Sequence, residues 1–337
     1  EFPHHTLLEG EMPTKLFVCV KTRRRRRGFR SGGGKILCLD DTYAKSMQRF
    51  FALLARLPLV FLQSLGTLFG SLTFRLSRET REQAEANLRQ AGLFDERLYR
   101  SVGRNAGRQA MESLWVWYRK PEEVMTQVRV DPECERLIRT AVESGRPIVF
   151  MTPHVGCFEV LPVWFAHTFY RESGRNISIL YRPPKFDVLR RLVGEARQAP
   201  GIVACPTTLA GVKEVIRNLR AGHTFGALPD QVPSHGEGVW APFFGKPAYT
   251  MTLPVRVARQ FDAIRIFAWG VREPHGWHIH GKEWSEPLTG DLEKDAAAMN
   301  RQIEEIVLSA PSQYAWSYKR YKAPRAARKK LEGVTKK

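Results

Sequence analysis

The sequence predicts an α/β fold in which helices flank a central, mostly parallel sheet, with a membrane helix at the N-terminal side. Two observations predict it. From residue 147 onward, short β-rich runs alternate with helical stretches, which is the pattern of parallel sheets. Earlier in the chain, residues 57–74 form 18 consecutive residues without a charge. As a helix they would be roughly 27 Å long, close to the thickness of a hydrocarbon core.

Each element of the α/β part is predicted from its local pattern. Residues 78–119 read as amphipathic helices that end before Pro121. The predicted strands are 147–151, 176–181, 201–205, 224–228, 263–271 and 277–281. The predicted helices between and after them are 156–170, 185–198, 207–221, 250–260 and 291–309.

The chain divides into four predicted segments. Residues 1–46 are expected to be a disordered, upstream or non-native extension, although the run 23–27 of arginines could also be a basic binding arm. Residues 47–78 are the expected anchoring helix, 79–325 the main domain, and 326–337 a basic tail. The apolar helix either spans the membrane or lies in its interface, and a buried core helix is the further alternative.

Charge and cysteine usage limit the classes of protein. The net charge of +19 attracts polyanions, which include nucleic acid, anionic lipid headgroups and acidic proteins. Five cysteines without a CxxC spacing argue against a disulfide framework and against a structural zinc site. His275, His278 and His280 lie close together, but without a neighbouring Cys or carboxylate set we interpret them as surface or strand positions.

Three polar residues each follow a predicted strand directly. His154 comes after 147–151, Arg182 after 176–181, and Asp230 after 224–228. Because the carboxyl ends of parallel strands share one edge of a sheet, and ligands bind at that edge, we expect these side chains to converge on one site.

The segment TPHVGCFE contains the strongest candidate base. Pro153 and Gly156 predict a turn that places His154 at its tip and Glu159 on the following helix, reaching back to the imidazole. A carboxylate there would fix the tautomer and leave the other nitrogen free as a general base. A structural core histidine is the alternative. We expect Cys157 to face the core rather than act as a nucleophile.

Five blocks in order resemble the late acyltransferases of lipid A biosynthesis, over residues 47–325. HVGCFE fits the HX4(D/E) signature of glycerolipid and lipid A acyltransferases, and ILYRPP and ALPDQVP resemble the arginine and acidic blocks of the family. APFFGKPAYTMT and PSQYAWSYKRYK match later segments. The resemblance implies a glycerolipid-acyltransferase-like fold, and transfer of a fatty acid from acyl carrier protein to a hydroxyl of a lipid A precursor.

The resemblance also implies residue roles. His154 would deprotonate the acceptor hydroxyl and Glu159 would orient His154. Arg182 would hold a phosphate or offset the oxyanion, and Asp230 and Gln231 would shape the acceptor side. In addition, backbone amides near Gly156 could stabilise the oxyanion. No metal, cofactor or covalent acyl-enzyme is expected.

The implied location is the cytoplasmic face of the inner membrane, with a single-pass or peripheral anchor. Aromatic residues that interleave with basic ones, such as Trp115, Trp117, Tyr314 and Trp316, suit a membrane surface better than nucleic acid. The residues Lys185, Arg190 and Arg191 could bind acyl carrier protein or simply be a solvated helix face. An acyltransferase for another lysophospholipid or glycolipid, and a basic membrane-bound scaffold or nucleic-acid-binding protein, are the rival functions.

Overall fold

The fold is organised around a seven-stranded, mostly parallel sheet. The computed structural model describes residues 37–181, 199–322 and 324, with side chains from residue 46 onward. The strand order is β1-β9-β8-β2-β5-β3-β4, and only the β8–β9 pair is antiparallel. A separate antiparallel hairpin consists of β6 and β7. The predicted α/β class, with a mostly parallel sheet flanked by helices, is therefore confirmed.

The strands are β1 Val128–Val130, β2 Ile148–Met151, β3 Ile177–Tyr181, β4 Ile202–Pro206, β5 Thr224–Ala227, β6 Gly238–Phe243, β7 Lys246–Met251, β8 Ile264–Glu273 and β9 Gly276–Glu283. The helices are α1 Leu37–Leu54, α2 Leu59–Leu76, α3 Arg78–Gln90, α4 Glu96–Tyr118, α5 Pro121–Met125, α6 Pro132–Glu143, α7 Val160–Phe165, α8 Leu209–Arg220, α9 Leu253–Gln260 and α10 Leu292–Ser309. A π-helical turn, Ala166–Tyr170, continues α7, and a 3-10 turn, Pro311–Gln313, follows α10.

Most predicted elements are present, with differences at three places. Strand β1 and helix α6 were not predicted. Neither were the two strands of the β6–β7 hairpin, and residues 250 and 251, predicted as the start of a helix, end strand β7. The predicted helix 185–198 lies outside the described residues. Helix α1 begins at Leu37, so residues 37–46, which were assigned to an extension, continue into a helix.

Successive side chains of the central strand β2 point to opposite faces of the sheet, and an apolar core lies on each face. In β2, Ile148 and Phe150 contribute to one core, and Val149 and Met151 to the other. Side chains from α4, α6 and α7 complete the first core, and side chains from α8, α9 and α10 complete the second. Complete burial of all four β2 residues explains why this strand reads as a continuous apolar run.

Helix α2 packs against α4 through glycines on both helices. A Cβ added at Gly70 would lie 2.2 Å from the carbonyl oxygen of Gly103, and one added at Gly107 would lie 1.9 Å from that of Gly66. These approaches are possible only for glycine, so the sequence GxxxG occurs on each helix at the contact. The glycine pair of α2 therefore packs against a matching glycine pair of α4.

The opposite face of α2 is apolar and exposed. Among the described residues, α2 is the helix long and apolar enough to span a membrane, with a mean hydropathy of 1.3 and one third of it buried. The exposed face includes Leu68, Phe69 and Leu72, which are 63%, 51% and 49% exposed. One side of α2 therefore packs on α4 through glycines, and the other side is an exposed apolar surface that can contact another apolar environment.

Polar side chains tie α2 and α4 to the sheet. Gln63 of α2 donates a hydrogen bond to Glu112 of α4 (2.8 Å). Glu112 also forms a buried bidentate ion pair with Arg272 of β8, in which Arg272 Nη2 lies 2.7 Å from Glu112 Oε2. Burial of Trp115 (5% exposed) and Trp316 (1% exposed) places these rings in the cores, so their predicted position at a membrane surface was wrong.

Candidate active site

His154 and Asp230 meet at the carboxyl edge of the sheet. Strands β2 and β5 are adjacent and parallel, with Met151 in register with Ala227, and His154 and Asp230 each follow three residues later. Asp230 Oδ1 lies 2.7 Å from His154 Nδ1, and Asp230 Oδ2 accepts the backbone N–H of His154 (3.0 Å). The predicted convergence of these two side chains is therefore observed.

This contact defines the tautomer of the imidazole. A carboxylate only accepts hydrogen bonds, so Nδ1 of His154 carries the hydrogen and Nε2 keeps a lone pair. Asp230 contacts the ring and the backbone of the same residue, which fixes both the position and the rotation of the imidazole. The second ring nitrogen, Nε2, is thereby directed away from the carboxylate.

The Asp230 carboxylate is buried (2% exposed) and held in its charged form by its neighbours. Burial by itself would raise the pKa of Asp230, but the charge and hydrogen bonds of His154, with a further contribution from Arg320, lower the pKa below its ordinary value. Arg320, also 2% exposed, donates to the carbonyl of Tyr249 (3.0 Å) and to Thr250 Oγ1 (2.8 Å).

Tyr314 completes the surroundings of Asp230. Its ring is 6% exposed, and burial, followed by the negative charge of Asp230, raises the pKa of Tyr314 well above its ordinary value. A phenol kept protonated beside a carboxylate is a hydrogen-bond donor toward it. Tyr314 and Arg320 were not predicted as site residues, and their only signal in the sequence was their place within the block PSQYAWSYKRYK.

Gln231 lies on the other side of the imidazole. Its Nε2 is 3.0 Å from His154 Nε2, so the amide donates to the lone pair of the ring nitrogen. Phe158 packs edge-on against the same ring, with the centroids 4.6 Å apart. Gln231 thus contacts the histidine directly, and its amide occupies the nitrogen that a reacting hydroxyl would need.

Glu159 is near the site but is not the partner of the His154 ring. Its carboxylate, 6% exposed, accepts a hydrogen bond from Trp117 Nε1 of α4 (3.0 Å). The turn at 154–158 does not direct Glu159 back toward Nδ1, because Asp230 already fills that side of the imidazole. The structure therefore assigns to Asp230 the orienting contact that was predicted for Glu159.

The geometry of the turn also corrects the expectation for Gly156. Its N–H donates to the carbonyl of Gln313 (3.0 Å), and the N–H of Cys157 donates to the carbonyl of Gly270 (2.9 Å). Neither amide is then available to stabilise an oxyanion. Gly156 has φ +58°, and a Cβ there would lie 2.0 Å from the carbonyl oxygen of Gly270, so glycine is needed for the close approach of the turn to β8.

Cys157 lies in the core, as predicted. The side chain is fully buried, and burial, followed by the negative charge of Glu112, raises the pKa of its thiol well above the ordinary value. A protonated, inaccessible thiol is a poor nucleophile.

A cavity of about 740 Å³ opens beside His154 and Gln231. Most of its walls are apolar, and they come from β2, β3, β5, α7 and the segment after β7. The deeper lining residues include Phe150, Leu161, Phe165, Ile177 and Ala268. The volume lies within the range of small-molecule and cofactor pockets, and an apolar wall with polar groups at one end suits an amphipathic ligand.

Arg182, the third residue predicted to converge, lies outside the described residues, as do Lys185, Arg190 and Arg191. Strand β3, which ends at Tyr181 and precedes Arg182, is adjacent to β5 in the sheet. The role predicted for Arg182 remains a prediction.

An α/β sheet with a carboxylate-bound histidine at its carboxyl edge, next to a large apolar cavity, is the arrangement of a protein that binds an apolar or amphipathic ligand at that edge. A profile of the family described as bacterial lipid A biosynthesis acyltransferase matches residues 45–323. The chain belongs to this family.

Two curated relatives are similar to parts of the chain. A lipid A biosynthesis acyltransferase of Haemophilus influenzae is 28% identical over 185 residues, which is 53% of this chain and 55% of that protein. A lipid A biosynthesis lauroyltransferase of Escherichia coli is 31% identical over 116 residues, which is 33% of this chain and 38% of that protein. The similarity thus spans about half of the first relative's length and less of the second's.

Proposed function

We propose that this chain transfers a fatty acyl group from acyl carrier protein to a hydroxyl of a lipid A precursor, with His154 as general base. The observation that carries the proposal is the 2.7 Å contact of His154 Nδ1 with Asp230, which leaves the lone pair of Nε2 at the mouth of the apolar cavity. Family membership and the relatives' names support lipid A as the acceptor.

The proposed reaction is a direct attack on the thioester. His154 Nε2 takes the proton of the acceptor hydroxyl as the hydroxyl oxygen attacks the carbonyl carbon. The C–S bond then breaks, and the His154 imidazolium returns the proton to the leaving sulfur, which gives the ester, the thiol of the carrier and the neutral ring. Asp230 stabilises the imidazolium that forms in this step. General-base help of this kind is worth typically 10²- to 10⁴-fold in rate.

Gln231 would change partner during the reaction. In the free enzyme its amide donates to Nε2 of His154 at 3.0 Å, which blocks the base. An acceptor hydroxyl has to displace this amide before it can donate its own hydrogen to the ring. Gln231 would then hydrogen-bond to the bound acceptor, consistent with the role predicted for it from sequence.

Glu159 and Arg182 retain substrate roles in the proposal. Glu159 lines the cavity close to His154, where its carboxylate can contact the acceptor or hold a group that contacts the acceptor. Arg182, which follows the strand next to β5, would hold a phosphate of the acceptor or of the carrier's prosthetic arm, because a guanidinium binds phosphate through paired hydrogen bonds.

The proposed location is the cytoplasmic surface of the inner membrane, with α2 lying in the interface. Its exposed apolar face would enter the acyl layer, while Arg108 of α4 donates to Thr67 on the other side (2.7 Å). A full span would bring the charged face of α4 toward the hydrocarbon, at a cost of several kcal/mol. The overall charge of +19 favours anionic lipid and an acidic carrier protein.

Mass spectrometry of lipid A tests the function. A deletion strain should lack one secondary acyl chain, wild-type protein should restore it, and His154→Ala, although still present in the membrane fraction, should not. Loss of an acyl chain from a phospholipid or glycolipid instead would assign the activity to another acceptor. Full restoration by His154→Ala would exclude the enzymatic proposal.

A further inference from the structure

Three potential metal ligands meet at the edge of the sheet where β1 pairs with β9. His278 and His280 are two residues apart on β9, so they project from the same face, and their ring centroids are 4.0 Å apart. Asp131 follows β1 directly, and its N–H donates to the carbonyl of Ile279 between them (2.9 Å). One ligand atom from each of the three residues lies within 4.8 Å of the other two.

The distances are close to those of a coordination sphere. Zinc binds imidazole nitrogen and carboxylate oxygen at about 2.0–2.2 Å, which places tetrahedral ligand atoms about 3.3 Å from one another. The side chains must therefore move by roughly 1.5 Å at most. His278 and Asp131, at 18% and 38% side-chain exposure, have room to do so, whereas His280 is held by stacking on Trp269.

A second carboxylate and one cation complete the cluster. Glu273 Oε1 lies 3.5 Å from Nδ1 of His278, where it could supply a fourth ligand. Arg129 donates to both Glu273 (2.6 Å) and Nδ1 of His278 (3.1 Å). Two carboxylates and one guanidinium leave a net negative charge around two imidazoles. Because Arg129 donates to Nδ1 of His278, the guanidinium would compete with a metal ion for that nitrogen.

We infer that Asp131, His278 and His280 bind a divalent first-row transition cation, with zinc the best match to a set of two imidazoles and a carboxylate. None of the three is among the described residues that line the cavity beside His154. The ion would join β9 to the end of β1 and the start of α6, which makes it a structural ion rather than a participant in acyl transfer. Asp131 could not be associated with these histidines from the sequence, because it is distant from them along the chain.

Direct titration of the metal tests this inference. The full chain, stripped with a chelator, is titrated with Co²⁺ by visible absorption and with Zn²⁺ by calorimetry. We expect one saturable equivalent and the absorption bands of four-coordinate Co²⁺. The pair His278→Ala/His280→Ala should abolish both signals. Asp131→Asn, which preserves the N-cap of α6, should weaken binding by more than the roughly 10- to 100-fold that loss of an outer-sphere partner costs.

Two further variants make the test specific. His275→Ala, an exposed histidine on the β8–β9 turn, should bind metal as wild type does. Arg129→Ala, which removes the competing guanidinium, should bind it more tightly. Wild-type protein without a saturable equivalent, or equal binding by wild type and the double histidine variant with unchanged circular dichroism, would overturn the inference.

Discussion

Replacement of Asp230 by asparagine isolates the contact on which the proposed mechanism depends. Asparagine has nearly the same shape but no charge, and only one of its two terminal atoms accepts hydrogen bonds. If its oxygen keeps the backbone N–H of His154, its NH₂ group faces Nδ1. The ring hydrogen must then move to Nε2, and the nitrogen that should accept the substrate proton no longer has a free lone pair.

The size of the effect follows from the charge and the distance. An imidazolium and a carboxylate about 4 Å apart interact by about 4 kcal/mol at an effective dielectric constant of 20, and hydrogen bonds to charged groups contribute about 1.5–3 kcal/mol. A loss of about 2–4 kcal/mol in the transition state corresponds to a roughly 30- to 1,000-fold lower kcat. KM should change little, because Asp230 is not among the described residues lining the cavity.

The assay is transfer of a labelled acyl chain from acyl carrier protein to lipid A precursor, with kcat and KM measured separately. Asp262→Asn is the matched control, since that side chain is 94% exposed and bonds only to Arg146 across the surface in the described structure. Glu159→Gln, which changes a cavity wall and keeps an acceptor for Trp117, should raise KM. An Asp230→Asn enzyme within threefold of wild-type kcat would refute the reasoning.

Four other changes have defined outcomes. Gly107→Leu should destabilise the protein by at least about 1–3 kcal/mol in urea unfolding, because the side chain would enter the backbone of α2. Leu68→Asn with Leu72→Asn should weaken binding to anionic vesicles at least tenfold without lowering the melting temperature, since both side chains are exposed. Ala268→Leu should shift acyl preference toward shorter chains, by about 0.8 kcal/mol or fourfold per excluded methylene. Because the pKa of Asp230 is lowered in the folded state, its carboxylate stabilises the fold above about pH 4, and this contribution is lost as pH falls through the folded-state pKa. The difference in unfolding free energy between wild type and Asp230→Asn should therefore shrink below about pH 4.

Controls separate these effects from general damage. Ser64→Ala, on the exposed side of α2, should leave the free energy of unfolding in urea within about 0.5 kcal/mol of wild type. Equal losses in Ser64→Ala and Gly107→Leu would contradict the packing argument. Unchanged vesicle binding by the α2 double variant would rule out this face as the membrane contact. An unaltered chain-length profile in Ala268→Leu would mean that the acyl chain does not enter this cavity.

Much of the fold and part of the site could be predicted from the sequence. Buried strands such as β2 read as unbroken apolar runs, and the parallel arrangement alone brings His154 and Asp230 to one edge. Their direct contact could not be predicted, because it depends on the register of β2 against β5. The same register, with the turn that Gly156 allows, excludes Glu159 from the position predicted for it.

The missed elements have identifiable reasons. The start of helix α6 could have been predicted, since Asp131 caps the helix and proline follows at its first position. Strand β1 could not, because its three residues are too few to show a periodic pattern. The β6–β7 hairpin turns at Phe244, with φ +45°, and Gly245. Prolines at positions 242 and 247 conceal both of its strands, because proline is rare inside sheets.

The segment after α10 has a consequence for how the protein is made. The carbonyl of Gln313 accepts the N–H of Gly156, the N–H of Ala315 donates to the carbonyl of His154, and Arg320 lies next to Asp230. While residues 313–320 are still inside the ribosome, the nascent chain already contains His154 and Asp230. It lacks the backbone hydrogen bonds that hold the turn at 154–156. Synthesis itself would then delay the onset of activity, so that acyl carrier protein meets a working enzyme only after residues near 320 have emerged.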